Sequence, residues 1–203
     1  MNRQIKSTIG AAVAMVLSSA SHATILIDQN QPDFPDFLAD FLQYDLAQSF
    51  KQTNGNIAGA GLRLQQDVGT TDTVTISLWD ALPNQGGSNM LASASGIASA
   101  GAFFDVFWTP VAITPGLTYF LEFSSVEGTL GIAGDAFNNP YASGEAYAQL
   151  DVFSNFDSFP DADYAFRTFF DDQQNPMPEP ATLALFGLGL AGFAFSRRRF
   201  KAF

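Results

Sequence analysis

Thr73-Val74-Thr75-Ile76-Ser77-Leu78-Trp79 sets polar and apolar side chains in strict alternation. A period of two marks a strand with one buried face, which puts Val74, Ile76 and Leu78 together on that face. Working outward, residues 57–64, 90–98, 104–113, 118–123 and 146–153 read as further strands. Turn signals separate them: Asn54-Gly55, Asp67-Val68-Gly69, Pro83-Asn84-Gln85-Gly86-Gly87, Thr114-Pro115-Gly116, Glu127-Gly128 and Asn138-Asn139-Pro140. Strands at this spacing with no long helix between them predict an all-β domain, an antiparallel β-sandwich over residues 24–170. A short helical turn is expected at residues 37–42.

The chain has 203 residues, of which 47% are hydrophobic and 21 are Phe, enough for one core. It has no Cys, which excludes disulfides, thiolate metal sites and cysteine nucleophiles. The formal net charge of −11 argues against a nucleic-acid partner, because phosphate binding needs clustered bases. Its one histidine, His22, falls in the leader described next, so the mature chain is expected to lack Ser-His-Asp chemistry and His-ligated metal.

Both ends read as addresses. Arg3 and Lys6 precede an apolar run over residues 9–17, followed by Ser18-Ser19-Ala20-Ser21-His22-Ala23. That layout is a secretory signal peptide, residues 1–23, cut after Ala23. Residues 181–195 carry no charge and lead directly into Ser196-Arg197-Arg198-Arg199-Phe200-Lys201. An uncharged stretch of this kind predicts a single transmembrane helix, short but extendable by snorkelling arginines, with the basic cluster left in the cytoplasm. Gly187-Leu188-Gly189-Leu190-Ala191-Gly192 has dinucleotide-fingerprint spacing, but no βα unit follows, so its glycines are read as packing in lipid. Ahead of the helix stands Pro178-Glu179-Pro180, an extended neck after the polar linker 171–176.

The order Pro-Glu-Pro, apolar helix, Arg cluster over residues 177–203 resembles the PEP-CTERM sorting tail of Gram-negative bacteria. The resemblance implies recognition by an exosortase, a membrane transpeptidase that cleaves near Pro178, Glu179 and Pro180. It further implies transient anchoring in the inner membrane, then the cell surface or extracellular matrix of a bacterium that secretes exopolysaccharide. Ala47-Gln48-Ser49-Phe50, Val74-Thr75-Ile76-Ser77-Leu78-Trp79-Asp80, the stretch 111–119 and Asp163-Tyr164-Ala165-Phe166-Arg167-Thr168 are similar to choice-of-anchor ectodomains, which implies a jelly-roll-like sandwich.

Between the expected leader and Pro176 lie 19 acidic residues against Lys51, Arg63 and Arg167. Asp151, Asn155, Asp157, Asp161 and Asp163 gather oxygen donors in one stretch, the ligand chemistry of calcium, though without EF-hand spacing. Sugars present C–H faces to rings and hydroxyls to carboxylates or amides, so Trp79 with Asp80, and Tyr141 with Asn139, are candidate glycan contacts, with Trp108 and Tyr147 beside them. Tyr141 stands out because its Asn-Asn-Pro turn sets it far from any core the sequence suggests. Arg167 is expected to pair with Asp163 or another acid. A small glycosidase needs only two carboxyl groups, yet the sequence singles out no pair. The sequence therefore predicts an exported, non-catalytic structural or adhesive protein, with a calcium-assisted carbohydrate-binding module as the alternative and a glycosidase as the third.

Overall fold

The computed structural model describes residues 24–42, 45–149 and 155–172. The expected signal peptide with Ala23, the sorting tail, and Asp151 lie outside the described residues. The strands in chain order are β1 (Ile25–Gln31), β2 (Asp36–Asp40), β3 (Asp45–Lys51), β4 (Asn56–Gln66), β5 (Thr71–Trp79), β6 (Met90–Ser99), β7 (Phe103–Ala112), β8 (Thr118–Ser125), β9 (Leu130–Asp135), β10 (Ala146–Gln149), β11 (Asp157–Phe159), β12 (Asp163–Tyr164) and β13 (Phe166–Asp171). The all-β expectation holds: the strands form two antiparallel sheets, one of six strands in the order β11-β10-β3-β8-β5-β6 and one of seven.

In the seven-stranded sheet, β1-β13-β4-β9-β12 run in order, with β7 on the other side of β4 and β2 on β9. The run from Asp163 to Asp171 changes partner at Ala165, whose N–H donates to Ala133 while its carbonyl accepts from Arg63. Two glycines on the outer face of β4 set what can lie across it. A Cβ on Gly59 would meet the Val106 carbonyl and the Phe107 ring, and one on Gly61 would meet the Asp105 carboxylate and the Arg167 stem.

The alternation of the deciding stretch is realised in β5, where Val74, Ile76 and Leu78 are fully buried. They join Leu46, Phe50, Leu121 and Phe123 from the same sheet and Ile57, Leu62, Leu64, Ile132 and Phe166 from the other. Ring contacts stitch the sheets: Phe50 on Phe166 at 6.3 Å, and Phe123 edge-on to Tyr164 at 5.8 Å. Burial of these side chains is worth about 1.5–3 kcal/mol each, which makes this layer the principal source of stability.

The helical turn expected at residues 37–42 does not form. Residues 36–40 are β2, hydrogen-bonded to β9, and only Phe41 and Leu42 make a turn. The reason is a docking site supplied by β9: Phe37 lies across Gly131, where any side chain would collide with its ring. Of the strand expected at 146–153, residues 146–149 are strand and the remainder lies outside the described residues.

Candidate functional site

The outer face of the six-stranded sheet collects aromatic rings around a half-buried carboxylate. Cross-strand register places Tyr147, Ala47, Glu122 and Ser77 in one row over β10, β3, β8 and β5. The adjoining row holds Ser49, Phe120 and Trp79. Directly opposed residues share a face, so the two rows form one surface.

Trp79 donates its indole N–H to Glu122 Oε2 at 2.7 Å. Burial pushes the Glu122 carboxyl above its usual range against the pull of that hydrogen bond, and the charge of Asp45 adds to the rise. Phe120 meets Tyr147 edge to face at 5.7 Å. The Tyr147 hydroxyl donates to Glu145, and burial, reinforced by that carboxylate, lifts its pKa to about 12. The turn between β5 and β6 folds back onto this surface: Leu82 and Pro83 are buried, and Asn84 Nδ2 donates to Asp45 and to Gln149. Asn84 sits in the left-handed region at φ 61°, a conformation Asn tolerates better than most side chains. Asp80 closes the same turn by accepting from Asn89 N at 2.7 Å and Asn89 Nδ2 at 2.8 Å.

These partners are suited to a saccharide. Half-exposed rings offer faces to C–H groups, while Glu122 and Glu145 accept from hydroxyls. A cavity of about 340 Å³ at one end between the sheets is lined instead by Leu38, Phe159, Tyr164 and a set of alanines, with no charged group.

The structure separates the expected contact residues. Trp79 and Asp80 belong to the surface just described, whereas Asn139 and Tyr141 lie in the loop between β9 and β10. Tyr141 is not remote from the core: its ring stands edge-on to Phe166 at 5.0 Å, and its hydroxyl donates to Gln29 Oε1 and accepts from Lys51 N–H. Asn139 is exposed and donates its N–H to the Asp161 carbonyl. Trp108 packs against the core and donates to the Ile57 carbonyl at 3.1 Å. Glu122 and Phe120 were missed at the sequence level. The signal was present in Thr118-Tyr119-Phe120-Leu121-Glu122-Phe123, whose alternation sends Phe120 and Glu122 to the face opposite Tyr119, Leu121 and Phe123.

The four expected calcium ligands that lie among the described residues do not form a common site. Asn155, Asp157 and Asp161 are exposed, whereas Asp163 is fully buried with its carboxylate facing inward. There Asp163 accepts from Gln48 Nε2 at 2.8 Å and from Tyr141 N–H at 2.9 Å. Among the described residues no group of three or more His, Cys, Asp or Glu side chains is arranged to hold a metal ion. Arg167 pairs with Asp105 rather than Asp163, through a two-point contact in which Nε donates to Oδ1 at 2.7 Å and Nη2 to Oδ2. The register explains the choice: Asp105 and Arg167 are both opposite Gly61, on the outer face, while Asp163 points into the sandwich.

Among the described residues no helix is long and apolar enough to cross a membrane, and the uncharged run at 181–195 lies outside them. No curated protein and no solved structure matches the chain. Residues 178–199 match the PEP-CTERM protein-sorting motif, so this β-rich chain carries the sorting signal of an exported protein.

Proposed function

We propose that this chain is an exosortase substrate whose β-sandwich serves a non-catalytic, structural or adhesive role at the bacterial surface or in the extracellular matrix, linked to exopolysaccharide. The observation that carries this reading is the sorting motif at 178–199, joined to an all-β domain rich in acidic side chains. In this scheme residues 1–23 direct export. The uncharged run 181–195 then tethers the chain, with Arg197, Arg198 and Arg199 on the cytoplasmic side, and Pro178-Glu179-Pro180 is the accessible neck where the enzyme acts. Replacing the three neck residues by alanine is expected to leave an unprocessed precursor in the membrane fraction. Processing identical to wild type would remove the reading.

A second reading, a carbohydrate-binding module, is favoured by the Trp79–Glu122 hydrogen bond and the Phe120–Tyr147 pair on the outer face of the six-stranded sheet. Retention on the host's exopolysaccharide is expected to fall at least about tenfold in Trp79→Ala, the loss of one stacked ring. A chelator arm separates calcium-assisted from direct binding. No retention of the wild type with or without chelator would leave only the structural role.

A further inference from the structure

We infer that the outer face of the seven-stranded sheet is a self-association surface, on which two copies of this chain meet about a two-fold axis through reciprocal Arg63–Asp33 contacts. The face is apolar and aromatic where a solvated sheet would be polar. Ile27, Phe169, Gly59 and Phe107 occupy one register row across β1, β13, β4 and β7. Four large side chains on this side are open to solvent: Ile27 at 48% exposure, Phe107 at 53%, Phe34 at 43% and Phe37 at 45%. Contiguous exposed apolar surface rimmed by polar groups marks an interaction site.

The face also carries a continuous ladder of rings and arginines. The Arg63 guanidinium lies 4.5 Å from the Phe34 ring and 5.8 Å from Phe103. Arg167 follows, 4.4 Å from Phe103 and 5.5 Å from Phe169, and Phe169 meets Phe107 at 5.0 Å. Aromatic residues and arginine are the types enriched at the centres of protein interfaces.

The two arginines differ in one respect. Arg167 is neutralised by Asp105. Arg63 has no carboxylate partner among the described residues, and its Nε is buried with no acceptor. Asp33, next to Phe34 and exposed, likewise accepts no hydrogen bond at its carboxylate from any described residue. Its backbone is pinned instead: Asp33 N–H donates to Gln31 Oε1 at 2.6 Å, and Gln31 Nε2 donates to the Asp33 carbonyl at 2.9 Å. Arg63 on the Phe34 ring and Asp33, the residue before Phe34, are thus opposite charges close in the fold that form no ion pair with each other. A two-fold rotation brings each opposite its complement, which is the requirement for an isologous contact.

Charge also restricts how a second copy can approach. With 19 acidic residues against three basic ones between residues 24 and 176, two copies repel over most orientations. This face carries two of the three bases and is where like surfaces can approach with opposite charges aligned.

The test uses the full-length chain in mild detergent, co-expressed in two differently tagged forms, with co-purification and sedimentation velocity as readouts. Wild-type copies are expected to co-purify. Arg63→Asp paired with itself and Asp33→Arg paired with itself are each expected to lose at least about tenfold of the pairing. Mixing the two variants restores it, because each then meets its complement. Should Arg63→Asp fail to fold, Asp33→Arg and Phe107→Asp decide the matter, since both alter exposed side chains, and each is expected to lose at least about tenfold of the pairing. A monomeric wild type, pairing insensitive to these two substitutions, or a folded mixed pair that fails to reassociate would each overturn the inference.

Discussion

Asp163 shows how a single acid can be conspicuous in the sequence and still be misassigned. Its neighbours Asp157 and Asp161 are solvated, but Asp163 is buried, with its backbone in the seven-stranded sheet and its carboxylate bonded to Gln48 of the six-stranded one. Burial pushes its pKa up to about 6, against the two hydrogen bonds, and the charges of Asp135 and Glu145 add to the rise. A carboxyl raised above its unfolded value contributes stability that is complete below that value and is lost as pH rises through about 6. Asp28 runs the other way. Burial opposes its ionisation, but bonds from Thr53, Asn54 and Gln29 outweigh burial and hold its pKa below the usual range. Its contribution is present above the unfolded value of about 3.9 and is lost as pH falls. The melting temperature is therefore expected to have a maximum on the acidic side of neutrality, falling from about pH 5 to 7 as Asp163 ionises and falling again in stronger acid. Asp163→Ala should flatten the first slope and cost about 2 kcal/mol, because Gln48 Nε2 and Tyr141 N–H lose their acceptor. An unchanged slope would remove Asp163 as its origin. Tyr141→Phe loses the bonds to Gln29 and Lys51 for about 1 kcal/mol in urea titrations. That its ring reaches Phe166 was illegible locally, since the two residues lie in different elements and only the fold brings them together.

At the scale of elements, periodicity was the reliable guide wherever a strand had one wet and one dry face. β8 follows its alternation closely, β5 departs from it only at Ser77, which faces outward yet is buried, and β4, β6 and β7 appear within two residues of their expected limits. Short edge elements were not legible. The pattern around Phe37 suits a helical turn as well as a strand, and what decides is Gly131 on β9, a residue with no local relation to it. The glycines of β4 are a related case: Gly59 and Gly61 weaken a strand by propensity yet are required here by what lies across them. Gly61→Ala is expected to destabilise the protein by about 2 kcal/mol and to break the Arg167–Asp105 contact, read from chemical denaturation and from loss of coupling in an Asp105→Asn double-mutant cycle. If Gly61→Ala were neutral, the close approach over β4 would be wrong. Part of the aromatic surface was also legible, because Trp79 and Tyr147 stand at outward positions of readable strands. Its acid, Glu122, emerged only once the register of β8 against β5 and β3 was known.

For the whole molecule, destination and surface are encoded in different parts of the chain. The β-sandwich presents surfaces, and the segment that assigns it a destination is the motif at 178–199, which needs only local order: two prolines, an uncharged run and three arginines. That order is read by chemistry along the chain rather than by packing, so it is fully visible without a structure. The role of the sandwich is the opposite case, since its aromatic faces are assembled from strands distant in sequence. The most direct test of the account is the mass of the protein recovered from the cell surface or medium. The expected product is a chain beginning at Thr24 and ending close to Pro178-Glu179-Pro180. A surface protein that keeps residues 181–203, or a complete chain confined to the cytosol, would contradict it.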